Sequence, residues 1–76
     1  MGKIKESIIS IVTPFAEKCG VKITDTPASE LKRIGESLDA KKITVDEALP
    51  KINSCCKNYL DSGDLRKISE VLKKLI

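Results

Sequence analysis

Apolar side chains return every three or four residues along nearly the whole chain, which is the period of a helix. In the first segment Ile4, Ile8, Ile11, Phe15 and Cys19 recur at intervals of four, three, four and four, with Val12 beside them, so they share one stripe. Gly20 supplies the left-handed residue that commonly closes a helix, and Val21 stands where the accompanying hydrophobic contact belongs. Pro14 interrupts the stripe: it either kinks one helix or takes the first position of a second helix capped by Thr13. Val21-Lys22-Ile23-Thr24-Asp25 is short, β-branched and polar by turns, and reads as an extended connection without strand partners.

Thr26-Pro27 predicts the next helix start, with the hydroxyl as cap and the proline where an N–H has no helical partner. Leu31, Ile34 and Leu38 then mark its buried stripe, and its end falls near Ala40. Thr44-Val45-Asp46-Glu47 has the form of a capping box, with Ile43 placed to staple against Ala48. From there Val45, Ala48, Leu49, Ile52, Cys56 and Tyr59 fall on one face of a third helix, which Pro50 either bends or divides. Asp61-Ser62-Gly63-Asp64 is a turn in which Ser62 or Asp64 caps the last helix. That helix presents Leu65, Ile68, Leu72 and Leu75, with Val71 and Ile76 alongside and Arg66, Lys67, Lys73 and Lys74 outward. The expected fold is all-α: one domain over residues 1–76, a small bundle of four main helices, or five if Pro14 divides the first.

A 76-residue chain buries only about 60% of the surface that its unfolded form exposes, so its core must be efficient or helped by a partner. The 33% of charged residues mix signs at nearly every turn, and the net charge of +3 permits an anionic partner without requiring one. No run approaches the length of a membrane span, and the apolar patch after Lys3 and Lys5 is broken by Ser10 and Pro14, unlike a signal peptide. Three cysteines, Cys19, Cys55 and Cys56, cannot all pair within the chain, which suits a reducing, cytoplasmic setting.

Chemistry has little to work with. There is no histidine, and Cys55 and Cys56 fall late in their helix, where the dipole opposes a thiolate. The thiols lack the paired spacing and the fourth ligand of a zinc site, so no catalytic residue, metal or cofactor is assigned. Gly35-Glu36-Ser37-Leu38 is similar over four residues to the Gly-x-Asp-Ser-Leu attachment motif of acyl carrier proteins, but it lacks the aspartate before the serine and lies within a helix. No family is assigned from it.

What remains is a surface. Aliphatic residues outnumber what four stripes can absorb, which predicts a small adaptor, regulator or inhibitor that binds another protein, or a second copy of itself, through Ile8, Ile9, Leu72 and Ile76 on the first and last helices. The alternative is a DNA- or RNA-binding regulator with a helix-turn-helix-like pair, using Lys32, Arg33, Lys41, Lys42 and Lys51. Against that alternative, Asp46 and Glu47 would bring two carboxylates toward the phosphates at the start of the recognition helix.

Overall fold

The computed structural model describes residues 2–76. Among them lie four helices and no strand: α1 (Lys3–Lys18), α2 (Asp25–Asp39), α3 (Val45–Cys55) and α4 (Ser62–Leu75). Pro14 and Pro50 lie inside continuous helices, so neither divides its element. Each proline deletes one N–H and leaves the carbonyl four residues back, at Ser10 or Asp46, without a helical partner; all four residues are exposed, so water can meet those carbonyls.

Charged and polar pairs fix the direction of packing. Asp39 at the end of α2 accepts from the Ile4 and Lys5 N–H groups at the start of α1, at 3.1 and 3.0 Å. Glu30, early in α2, meets Cys55 at the end of α3. Asp46, early in α3, faces Lys73 near the end of α4, and Lys18 at the end of α1 pairs with Asp64 early in α4 at 2.7 Å. Each helix therefore runs opposite to its neighbours. The α2–α3 pair is an antiparallel hairpin with the helices side by side, unlike a helix-turn-helix crossing of roughly 90–120°.

Helix ends account for most of the loops. After α1, the Val21 N–H bonds the Ala16 carbonyl and the Gly20 N–H bonds Glu17, the two bonds of a Schellman motif, with Gly20 at φ +78° and Val21 buried against the core. The same pair of bonds closes α2 around Lys41 and α3 around Lys57, which hold left-handed φ values of +58° and +57° without being glycine. The Thr44–Glu47 capping box forms as predicted, at 3.1 and 2.9 Å. Two predicted helix starts move. In the structure α2 begins after Thr24, not Thr26, and no side-chain hydrogen bond caps it; Pro27 marks a first turn without fixing its first residue, because an unpaired N–H is available at every position of that turn. The structure caps α4 at Asp61, not Ser62 or Asp64, because Asp61 and Asp64 satisfy each other's N–H groups reciprocally.

One buried cluster draws on all four helices. In α1 its members are Ile4, Ile8, Val12 and Ala16, so the buried row runs strictly every fourth residue, and Ile11, Phe15 and Cys19 of the predicted stripe are only partly buried. Tyr59 is also corrected: it is 61% exposed, and Leu60 is buried in its place. α3 ends at Cys55, and left-handed Lys57 and Asn58 turn the chain, so helical spacing no longer applies by residue 59. Asn53 then clips the loop, accepting from the Leu60 N–H at 3.0 Å and donating to its carbonyl at 3.4 Å.

Candidate binding groove

Two of the aliphatic residues expected to meet a partner are core residues: Ile8 and Leu72 are fully buried. Ile9 is partly buried against the core and Ile76 is 60% exposed. Helical spacing puts a residue on the buried face but does not say which flank another helix will cover, and α1 and α4 each lie between two neighbours. Among the described residues, the other large apolar side chains that are well exposed are Tyr59 and Val71. Tyr59 lies at the end where α4 starts and Ile76 at the end where it finishes, so they do not merge into one patch.

The seam between α2 and α3 is different. Three hollows of about 210, 300 and 420 Å3 follow one another along it and share walls. The first is lined by Ser37 and Ile43 together with Arg33, Ile34 and Lys51, and the second shares those last three. Glu30 and Ser54 belong to both the second and the third, which continues to Cys55, Lys57 and Lys22. Ile34, only 8% exposed, and the half-buried Ile43 form an apolar floor between the polar rims. Helical geometry places the α2 rim: Glu30, Arg33, Ile34 and Ser37 stand at i, i+3, i+4 and i+7, one flank of the helix.

Charge on this hairpin is unbalanced. Between residues 30 and 57 five carboxylates face six cations in the sequence. Every carboxylate is engaged: Glu36 pairs with Lys5 at 2.9 Å, Asp39 caps α1, Asp46 faces Lys73 at 3.7 Å, Glu47 closes its capping box and Glu30 accepts from the Cys55 thiol at 3.5 Å. Hydrogen bonds hold Glu36 and Glu47 below the usual carboxylate range, from Lys5 and from the Thr44 backbone respectively, so both stay charged. None of the cations, Lys32, Arg33, Lys41, Lys42, Lys51 and Lys57, has an ion pair within 4.0 Å among the described residues.

The structure thus brings Arg33 and Lys51, two of the five basic candidates, into one groove. Lys41 lies instead at the α1–α4 end, beside Leu75 and Ile76. Lys32 precedes Arg33 by one position and projects about 100° further round α2. The sequence reading missed Ser54 and Ile43 as groove residues. The signal that could have found Ser54 is a second polar flank at helical spacing, Glu47, Lys51 and Ser54, on α3, whereas Ile43 lies in the connection, where helical spacing carries no signal.

The thiols are poorly suited to nucleophilic work. Burial, with the Glu30 carboxylate beside it, pushes the Cys55 thiol up to about 12, and burial also raises Cys56. Cys19, half-exposed, donates to the Tyr59 carbonyl at 3.4 Å. Among the described residues no three His, Cys, Asp or Glu side chains gather as metal ligands, and no helix is long and apolar enough to cross a membrane. The four-residue resemblance to a carrier motif dissolves into packing: Gly35 lies against the α1 backbone, Glu36 pairs with Lys5, Leu38 is core and Ser37 sits within α2. Comparison with protein-family models, curated proteins and solved structures finds no match to this chain.

Proposed function

We propose that this protein is a non-catalytic binding module, an adaptor, regulator or inhibitor, that seats a segment of another protein in the α2–α3 seam. The observation that carries this reading is the groove itself: Ile34 and Ile43 form an apolar floor between the polar rims of α2 and α3 over the part of the seam nearer their connection. Grooves of this shape receive an amphipathic segment by covering its apolar side chains. Buried thiols with raised titration, and the lack of imidazole, support a role without covalent chemistry. Free Cys55 and Cys56 in the core also favour a reducing, cytoplasmic setting.

Affinity capture from the native source tests the reading with two variants. Ser54→Trp fills the shared wall of two hollows, whereas Ser10→Trp adds the same side chain to the exposed face of α1. A partner retained by the wild type and by Ser10→Trp, and lost by Ser54→Trp, is expected. Equal retention by both variants refutes the seam as the docking site.

A second reading, binding to DNA or RNA, draws on the exposed and unpaired Lys32, Arg33, Lys41, Lys42 and Lys51. Its measurement is retention on a random-sequence duplex with a steep loss as salt rises. The side-by-side hairpin, which offers no protruding recognition helix, and the scarcity of aromatic side chains for base stacking weigh against it.

A further inference from the structure

We infer that the segment received by the α2–α3 seam is an acidic amphipathic helix. The inference rests on the reading of that seam as a docking site, and adds the charge and conformation of its occupant. Length comes first. The 11 residues of α3 span about 16 Å at 1.5 Å per residue, room for about three turns of a helix laid alongside. The first two hollows lie over Ile34 and Ile43, and the third continues past the end of α3 to Lys57 and the α1–α2 connection, so side chains at i, i+3 or i+4, and i+7 of the occupant have successive places to enter, the apolar ones over Ile34 and Ile43.

Charge selects the flanks. Arg33 and Lys51 stand on opposite walls at the middle of the seam, and Lys57 and Lys22 stand at the end nearest Cys55. None of the four has an ion pair among the described residues. One carboxylate, Glu30, lines the groove, and it accepts the Cys55 thiol. Carboxylates on both edges of an incoming helix would therefore meet cations that the fold leaves unpaired. Such exposed pairs chiefly raise the association rate and reject basic competitors.

Two other occupants fit less well. A second copy of this chain would offer Val71 or Ile76 on α4, where Arg66, Lys67, Lys73 and Lys74 are also exposed, the same sign as the seam. A nucleic acid would answer the cations and leave the apolar floor without a partner.

Selection from a displayed library of random peptides of about sixteen residues, long enough for four helical turns, tests the inference on the full chain. Enriched peptides are expected to carry excess Asp and Glu, to space apolar residues at three and four, and to gain helical circular dichroism on binding. The double variant Arg33→Glu with Lys51→Glu should weaken them about ten-fold or more. The double variant Lys67→Glu with Lys74→Glu, an equal charge change on α4, should leave affinity unchanged. Amide shifts should localise to Arg33, Ile34, Ser37, Ile43, Lys51 and Ser54. Enrichment of basic, uncharged or extended peptides at the seam overturns the inference and leaves the docking site standing. No enrichment at all, or equal weakening by both double variants, overturns the inference. Partner capture that Ser54→Trp leaves intact brings down the docking site as well. Displacement of the peptides from these same residues by a random-sequence duplex of equal affinity assigns the seam to nucleic acid and refutes the acidic helix.

Discussion

Replacing Gly35 with alanine places a methyl group where α1 leaves no room. A Cβ at that position would lie 2.7 Å from the Lys5 Cα, 2.9 Å from the Lys5 nitrogen and 3.2 Å from the Ile4 carbonyl carbon. Favourable separation between such atoms is about 3.5–4.0 Å, so α1 and α2 must part by about 1 Å at this crossing. All three atoms are backbone and cannot rotate away, so the cost belongs at the upper end for overpacking, about 3 kcal/mol. Alanine recovers about 1 kcal/mol through its higher helix propensity. The net expectation is a loss of about 2 kcal/mol, or a melting temperature lower by about 10 °C for a domain of this size. The same separation strains the Asp39 bonds to Ile4 and Lys5 and the Lys5–Glu36 pair, which span the same two helices. Urea titration followed by far-UV circular dichroism measures the change directly. Gly63→Ala is the control: that glycine is exposed in the first turn of α4, a Cβ there meets only the side-chain Oδ1 of Asp61 at 3.3 Å, and with the same propensity gain the variant should be between unchanged and about 1 kcal/mol more stable. If Gly35→Ala is as stable as the wild type, the close approach of α1 and α2 is wrong.

Other positions give independent checks. Lys41→Gly removes a side chain from a left-handed residue and should stabilise the protein by about 0.5–1 kcal/mol in the same titration; a loss would contradict the φ of +58°. Asp39→Ala leaves the Ile4 and Lys5 N–H groups without their carboxylate and should cost about 1–2 kcal/mol, against no change if α1 needs no cap from α2. Asp64 is held below its ordinary value of 3.8, chiefly by the Lys18 hydrogen bond, so its contribution is complete above that value and disappears as pH falls through the lower folded one. Asp64→Asn should therefore lower stability at neutral pH and flatten its acid dependence below pH 3.8, and parallel pH curves for variant and wild type would exclude the pairing. Iodoacetamide at mildly alkaline pH should label half-exposed Cys19 first and reach Cys55 and Cys56 only on unfolding; mass spectrometry showing equal rates would refute the burial of the latter two.

The helices are legible in local patterns of residues. Periodicity placed four of them, Thr44 and Glu47 declared the start of α3, and Gly20 with Val21 declared the end of α1, because these signals act between residues at most five apart. The same locality explains why Tyr59 was misassigned, since nothing adjacent to Cys55 announces that Lys57 and Asn58 will turn left-handed. The remaining features arise only when the helices pack. Which flank of each stripe is covered depends on the neighbouring helices, and that buried Ile8 and Leu72, opened Tyr59 and assembled Arg33, Ile34, Ile43, Lys51 and Ser54 into one groove. Asp39 and Gly35 illustrate the same limit: each serves the start of α1 from more than 29 residues away, through a contact that exists only once two antiparallel helices have docked. Local spacing encodes a helix and its buried side, whereas a surface between helices is a property of their packing.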